Sequence, residues 1–233
     1  MKRLTICLLA TLFTGALQAR VFIPNDSTEQ PRQVVAGGFK LNATLSGMLL
    51  HNIYAGAPAS SLPITASPHV SGEIGGFIDF NCTKHLVVQV NLLLGAEHLY
   101  LHSGSTQDDL WIFGMNIPVY LLGRFEFGKR GAVQFGGGPF TTFVFRGMMY
   151  GDSSLEKTDP FRRVYSADEL TGEEQMLLSD NYSGLGITLG YEFWFGLQIN
   201  LGYQCAISDI LNYPHTSSYA LPQKGYVGIA YRF

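Results

Sequence analysis

Hydrophobic and polar residues alternate with a period of two along most of the chain after residue 33. The clearest segment runs from Leu86 to Leu94, where every second residue is Leu or Val, with Gln89 and Asn91 between them. Two later segments, near residues 185–193 and 197–207, repeat this alternation. A strand of this kind has one face in an apolar environment and the other in a polar one.

Weaker copies of the pattern bring the number of predicted strands to about eight, an even number as in bacterial single-chain barrels. The strands lie near residues 39–46, 70–81, 86–97, 111–126, 133–145, 185–193, 197–207 and 224–233. Long gaps at 47–69, 102–108, 146–180 and 208–223 alternate with short turns at 81–84, 128–130 and 194–196. This alternation predicts an all-β fold, a transmembrane antiparallel up-and-down β-barrel of eight strands with short periplasmic turns and longer extracellular loops. A Greek-key sandwich has no reason to alternate in this way.

The first residues of the chain are typical of a secretory signal peptide. A basic start at residues 1–3 precedes an apolar run at residues 4–17, and Ala19 offers a small residue for cleavage. We therefore expect a signal peptide at residues 1–19, a periplasmic N-terminal segment at residues 20–33 and an outer-membrane barrel domain at residues 34–233. This organisation predicts Sec-dependent export to the outer membrane of a Gram-negative bacterium.

The composition of the chain agrees with a membrane barrel. After residue 19 no apolar run approaches the roughly 18 residues of a membrane helix. The chain contains 27 Gly, 16 Phe and 12 Tyr but only 14% charged residues, which favours strands with aromatic girdles. The formal net charge of −3 gives no reason to expect a nucleic-acid partner. The expected surroundings are outer-membrane lipid and lipopolysaccharide.

Six charged residues fall on the polar faces of the predicted strands, in the periplasmic half of the barrel. They are Lys40, Asp79, Arg124, Glu126, Glu192 and Arg232. Buried charges must be paired and hydrogen-bonded, and about eight strands leave an interior that side chains can fill. We therefore predict that this lumen charge cluster is a structural plug, with a proton or ion pathway as the functional alternative. Glu73 and Glu97 lie nearer the extracellular mouth, where we expect water to reach them.

A grouping of His, Ser and an acid near one predicted loop raises the question of enzymatic activity. His98, His102 and the serines at 103–105, with Glu97 beside them, could perform acyl chemistry on a lipid. Consecutive strand residues such as Glu97 and His98 point to opposite faces, however, and no spacing matches a lipase signature. No group of histidines has metal-ligand spacing. We therefore expect no catalytic residue, metal site or cofactor.

Two regions suggest protein partners. The chain ends in a strand with Gly228, Tyr231 and Phe233 in the order glycine, two residues, aromatic, any residue, aromatic, which resembles the terminal-strand signal read by the barrel-assembly machinery. The gap at 146–180 contains two capping boxes, Ser166 with Glu169 and another at residues 171–174, which predict a short helix over the barrel mouth. We expect this loop to be a lid or a solvated decoration, or else a surface for an envelope protein partner, a glycan or a phage.

Several segments together resemble a known family. They are Val35–Asn42, Gly72–Phe80, Leu86–Leu94, the Ile117-Pro118-Val119-Tyr120-Leu121-Leu122 strand, Gly136-Gly137-Gly138-Pro139 and Gly228–Phe233. With them the mature chain resembles the PorT-type outer-membrane β-barrel family of Bacteroidota. The resemblance implies an eight-stranded barrel of mostly unassigned function, with one branch serving type IX secretion. Three hypotheses follow: a non-enzymatic structural or interaction barrel, a component of a secretion or transport assembly, and a lipid-modifying enzyme.

Overall fold

The computed structural model describes residues 22–23, 32–55, 62–151, 154–158, 161, 178–211 and 218–233. The predicted signal peptide at residues 1–19 lies outside the described residues, as do both predicted capping boxes at 166–174. Among the residues that the structure describes, no helix is long and apolar enough to span a membrane.

Eight long antiparallel strands form one closed sheet. They are β1 (Val35–His51), β2 (Leu62–Asn81), β3 (Leu86–Ser103), β4 (Thr106–Glu126), β5 (Gly131–Gly151), β6 (Asn181–Phe193), β7 (Leu197–Ala206) and β8 (Tyr219–Arg232). Each strand pairs with the next along the chain. Strand β8 also pairs with β1, where Ala230 lies opposite Lys40, and this pairing closes the barrel. The predicted eight-stranded up-and-down barrel is therefore confirmed.

A few short elements accompany the barrel. Residues Phe22–Ile23 pair with Arg32–Gln33 ahead of β1. Tyr54–Ala55 pairs with the first residues of β2, and Ser154–Thr158 pairs with the end of β5. A single 3-10 turn, Gly128–Arg130, connects β4 to β5.

The two ends of the barrel differ in their connections. At one end the strands are joined by residues 82–85, 127–130 and 194–196, and we call this the short-turn end. At the other, the long-loop end, three connections are longer, at residues 52–61, 152–180 and 207–218. The fourth connection there, between β3 and β4, consists only of Gly104 and Ser105. Gly104 adopts a φ of 62°, which a glycine reaches without strain and which permits so tight a turn.

The strands at the long-loop end are longer than the sequence predicted. The predicted gap at 102–108 is almost entirely strand, since His102 pairs with Gln107 and Leu101 with Asp108. Strand β5 likewise continues to Gly151, beyond the predicted start of the long loop at residue 146. The polar and acidic residues between His102 and Asp108, which indicated a loop, lie in paired strands except at the two-residue turn. The expectation of a longer connection between β3 and β4 was therefore wrong.

The outer surface of the barrel is apolar. Large hydrophobic side chains that point outward include Ile74 and Ile187, each 64% exposed, and Leu201, which is 56% exposed. Aromatic side chains contact each other at the short-turn end, where the ring centroids of Phe39 and Phe233 are 5.4 Å apart and those of Trp194 and Phe195 are also 5.4 Å apart. A continuous apolar band of this kind, bounded by aromatic residues, is the outer surface of a membrane barrel.

Candidate functional site

The buried charged side chains of the residues that the structure describes lie in the barrel lumen. At its short-turn end lie Asp79, Arg124, Glu126, Glu192 and Arg232, which we call the rim cluster. The Arg232 guanidinium lies 3.5 Å from Asp79 Oδ2 and 3.2 Å from Glu192 Oε2. The Arg124 guanidinium lies 3.1 Å from Glu192 Oε1 and 3.6 Å from Glu126 Oε1. Glu192 therefore joins two arginines that come from different strands.

Three glutamine amides complete the coordination of the rim carboxylates. Gln89 Nε2 donates a 2.8 Å hydrogen bond to Asp79 Oδ1, and Gln134 Nε2 donates one of 2.8 Å to Glu192 Oε2. Gln198 Nε2 donates a further bond of 3.3 Å to the same Glu192 oxygen. Hydrogen bonds to ionised groups are stronger than those between neutral groups. Glu192 thus accepts hydrogen bonds from four side chains, as a buried ion requires. Asp79 has one hydrogen bond, from Gln89, and one ion pair, with Arg232.

Glu126 differs from the other members of the rim cluster. Its side chain is 65% exposed, whereas that of its partner Arg124 is 15% exposed. The residue lies beside a cavity of about 420 Å³ that Arg124, Glu192 and Trp194 also line at the short-turn end. Its ion pair is screened by water and contributes little to stability.

Lys40 lies deeper in the lumen than the rim cluster. In the sheet, Lys40 of β1 lies opposite Gly75 of β2 on one side and Ala230 of β8 on the other. Its Nζ atom is 5.4 Å from the centroid of the Tyr226 ring, which is within the range of a cation–π contact. The structure therefore brings together five of the six residues predicted for the charge cluster and places Lys40 apart from their ion pairs.

A second group of charges, which the sequence analysis did not assemble, lies in the middle of the lumen. This central cluster consists of Glu73, Glu97 and Lys224, whose residues are 4%, 7% and 4% exposed. Lys224 Nζ forms an ion pair with Glu73 and a second one of 3.0 Å with Glu97 Oε1. Tyr182 donates its hydroxyl to Glu97 at 3.0 Å. The expectation that water reaches Glu73 and Glu97 was wrong.

Amide side chains extend the central cluster across the lumen. Asn42 and Asn116 each donate a 3.2 Å hydrogen bond to Glu73 from different strands. Asn116 also donates to Gln204 at 3.0 Å, and Gln204 donates to the Tyr120 hydroxyl at 2.8 Å. Beside Glu73 and Asn116 lies a cavity of only about 10 Å³, which is about the size of one water molecule.

Apolar residues fill the lumen above the central cluster. This apolar cap consists of Leu99, Leu101, Leu110, Ile112, Phe140, Val144, Leu178, Tyr182, Ala206, Ile210 and Ala220. Some of them come from segments between strands, which backbone hydrogen bonds hold in place. Ser179 N donates to Ile210 O at 2.6 Å, and Ile210 N donates to Ala220 O at 3.1 Å. The cap separates the central cluster from the long-loop end.

The sequence pattern contained one signal for the central cluster. Lys224 has the same parity in β8 as Tyr226 and Arg232, opposite to the outward residues Val227 and Ile229. That parity predicts an inward side chain. Its partners could not be identified in this way, because Glu73 and Glu97 lie 151 and 127 residues away along the chain.

The His, Ser and acid residues considered for acyl chemistry do not converge. Glu97 points into the lumen, where it is bonded to Lys224. His98 lies on the outer face of the barrel and stacks on Trp111, with ring centroids 4.1 Å apart and planes within 10°. The barrel wall therefore separates this acid from this histidine, as their adjacent positions in a strand predict.

The three residues of the predicted assembly signal lie at the end of β8. Tyr231 and Phe233 point outward, 47% and 41% exposed, and their ring centroids are 5.6 Å apart. Gly228 points inward, and a Cβ atom there would collide with Asn42 Oδ1 and approach Leu41 O. A larger residue at this position would therefore have to displace the Asn42 side chain, which donates to Glu73.

No family model matches the chain, and no curated protein matches it. Several solved structures are similar to it. The outer-membrane protein OprG of Pseudomonas aeruginosa is 13% identical, with 85% of this chain and 94% of that chain covered and a TM-score of 0.44. Ail, the attachment invasion locus protein of Yersinia pestis, is 9% identical, with 85% and 99% covered and a TM-score of 0.40. Neisserial surface protein A is 10% identical, with 84% and 97% covered and a TM-score of 0.39.

Proposed function

We propose that this chain is an outer-membrane β-barrel with a lumen closed by its own side chains, and that it has a structural or interaction role through its extracellular loops. In this proposal the signal peptide directs Sec-dependent export, the short-turn end faces the periplasm and the long-loop end faces the outside. The barrel is not an enzyme.

The observation that carries the proposal is the inverted distribution of polarity. Side chains such as Ile187 and Leu201 point outward and are more than half exposed, whereas Asp79, Lys224 and Asn91 point inward and are almost fully buried. In a water-soluble protein, so large an apolar outer surface would be exposed to water, which is unfavourable. In lipid, the closed sheet satisfies every strand edge and the apolar band matches the hydrocarbon core.

The lumen contains a balanced set of buried charges, which supports a plug. The lumen contains four bases, Lys40, Arg124, Lys224 and Arg232, and four buried acids, Glu73, Asp79, Glu97 and Glu192. Each of the four acids forms an ion pair with Arg124, Lys224 or Arg232, whereas Lys40 contacts the Tyr226 ring. Removing one partner of a buried pair leaves an uncompensated charge, so the set resists rearrangement. The apolar cap adds a second barrier above the charges. A proton or ion pathway through the lumen would require water at the central cluster, where the cavity beside Glu73 holds about one molecule.

Conductance measurements test the plug. The refolded mature protein in planar bilayers is expected to show no stable conductance steps, because the lumen contains ion pairs and the apolar cap. The Glu126→Gln variant is the matched control, since this side chain is 65% exposed and lies at the rim. This variant should likewise show no stable conductance steps. Stable conductance steps in the unmodified protein would contradict the proposal of a closed lumen.

A role in a secretion or transport assembly is the second candidate, and the resemblance to PorT-type barrels is what supports it. In that case an envelope partner binds the loop predicted at residues 146–180, which is the connection at 152–180 in the structure. The terminal residues Gly228, Tyr231 and Phe233 serve the barrel-assembly machinery. Crosslinking in intact cells followed by affinity purification tests this candidate. A specific envelope protein that is lost on shortening the connection supports it, and recovery of the barrel alone counts against it.

A further inference from the structure

Two histidines meet on the outer face of the barrel, away from the lumen. The Nδ1 atoms of His69 in β2 and His98 in β3 are 3.0 Å apart, and their ring centroids are 4.3 Å apart. His69 Nδ1 also lies 3.1 Å from the carbonyl oxygen of Val70. The pair is located just above the apolar band, two residues beyond Ala96 and four beyond the exposed Leu94.

A β-bulge in β2 creates this arrangement. The register with β3 shifts by one residue between Pro68, which pairs with Leu99, and Gly72, which pairs with Ala96. The extra residue turns His69 to the outer face beside His98. The Ser71 hydroxyl accepts a 3.1 Å hydrogen bond from the His98 backbone N–H and fixes the bulge. Bulges frequently redirect a side chain at a functional position.

Aromatic rings hold His98 in place. Its ring stacks on Trp111 at 4.1 Å and contacts Tyr100 at 4.9 Å between centroids, and the residue is only 5% exposed. Its Nε2 atom is buried without a hydrogen-bond partner. The orientation of the ring is therefore set by packing, and Nδ1 is the atom directed at His69. Asp109 of β4 lies opposite Tyr100 in the sheet, next to the Trp111 that stacks on His98.

The separation of the two Nδ1 atoms fits two nitrogen ligands of one metal ion. Nitrogen ligands about 2.0–2.1 Å from a metal are about 3.3 Å apart in tetrahedral geometry and about 2.9 Å apart at a right angle. Two protonated imidazoles at 3.0 Å would repel each other, so at least one ring is neutral, and without a metal the two Nδ1 atoms share a hydrogen bond. A divalent cation would replace the shared proton between two neutral imidazoles. Among the described residues, no three His, Cys, Asp or Glu side chains converge on such a point.

We propose that His69 and His98 form a two-imidazole site for a divalent transition-metal cation such as Zn²⁺ on the outer rim of the barrel. The metal bridges the two Nδ1 atoms, Asp109 contributes negative charge from the neighbouring strand, and water completes the coordination. With only two protein ligands the affinity is lower than that of a structural zinc site. The site is independent of the closed lumen and of any partner of the loops.

Zinc titration of the refolded barrel tests the site. The protein is prepared without a polyhistidine tag, and its free thiols, Cys82 and Cys205, are alkylated so that they do not bind the metal. Zn²⁺ is added in competition with a chromophoric chelator. We expect one Zn²⁺ per barrel and an affinity at least about tenfold weaker in both His69→Ala and His98→Ala, as for the loss of a group that supports a metal site.

His102→Ala is the matched control, because His102 follows His98 in the same strand and should leave the affinity unchanged. A gel mobility that changes on boiling shows for each variant that the barrel has formed, and His98→Gln replaces His98→Ala if that variant does not fold. The proposal is overturned if the unmodified protein does not bind Zn²⁺. It is also overturned if only one of the two histidines matters, if neither does, or if His102→Ala weakens binding equally.

Discussion

Replacing Lys224 by Met is expected to destabilise the barrel strongly. The ammonium group of Lys224 is buried and forms ion pairs with both Glu73 and Glu97. Methionine fills a similar volume but carries no charge, so two carboxylates remain buried in the lumen without their shared cation. Breaking a buried ion pair by removing one partner costs about 3–5 kcal/mol, and we expect a loss in the free energy of unfolding within that range.

A double-mutant cycle separates the lost ion pair from other effects of the substitution. In a Glu73→Gln background only one uncompensated carboxylate remains after Lys224→Met, so the second substitution should cost less there. We expect a coupling of at least about 1.5 kcal/mol, within the range for residues in contact. The exposed turn residue Lys84 provides the matched control, since Lys84→Met leaves the lumen charges intact.

Unfolding of the refolded barrel in urea, in the presence of lipid vesicles, measures these differences. Fluorescence of Trp111 and Trp194 reports the transition, and the electrophoretic mobility of unboiled samples confirms that each variant folds. Either of two results would show that the buried ion pairs of Lys224 do not stabilise the barrel. One is a loss below about 1 kcal/mol for Lys224→Met, the value of an exposed pair. The other is additivity of the two substitutions within about 0.5 kcal/mol, as for independent sites.

Four further predictions follow from other parts of the barrel. Glu192→Gln removes the carboxylate shared by two guanidinium groups and should lower the free energy of unfolding by about 3–5 kcal/mol. The exposed Glu126→Gln should lower it by less than about 1 kcal/mol. Urea unfolding of both variants measures the difference. Ile187→Arg puts a charge in the apolar band and should cost about 2–4 kcal/mol in the same assay. Gly228→Val brings a side chain against β1 and should abolish the heat-modifiable form on gels. Deletion of Phe233 should slow assembly in cells, measured by pulse-chase, while the refolded protein keeps its stability.

The strands were predictable because their signal is local. Leu86 to Leu94 show the period of two without reference to the rest of the chain, and the structure places that aliphatic face outward. The strand directions then followed from the connections, and Arg124 and Glu192, which were expected at the same end of the lumen, lie 3.1 Å apart.

The heights of the inward side chains along the barrel axis were not predictable in the same way. They depend on the stagger between strands, which the pattern of one strand does not contain. Lys40 is therefore displaced from the rim cluster, since its neighbours across the sheet are Gly75 and Ala230. The burial of Glu97 depends on the apolar cap, whose residues Leu178 and Ile210 come from distant segments.

The position of the bulge that brings His69 beside His98 could not be predicted from the sequence either. A strict alternation through residues 68–72 places His69 and Val70 on opposite faces. One inserted residue changes this, because it reverses the parity of every residue on one side of the bulge. The pairing of Pro68 with Leu99 shows the reversal. Pro68 and Gly72 flank the bulge and are residue types that occur at bulges, but they do not specify which residue is inserted.

A heat-modifiability gel shows whether the chain forms a closed barrel in the outer membrane. Membrane fractions of cells that produce the protein are extracted with detergent, and boiled and unboiled samples are compared. We expect the unboiled protein, in the outer-membrane fraction, to migrate differently from the boiled protein. A single mobility, with the protein in the soluble periplasmic fraction, would contradict the membrane barrel.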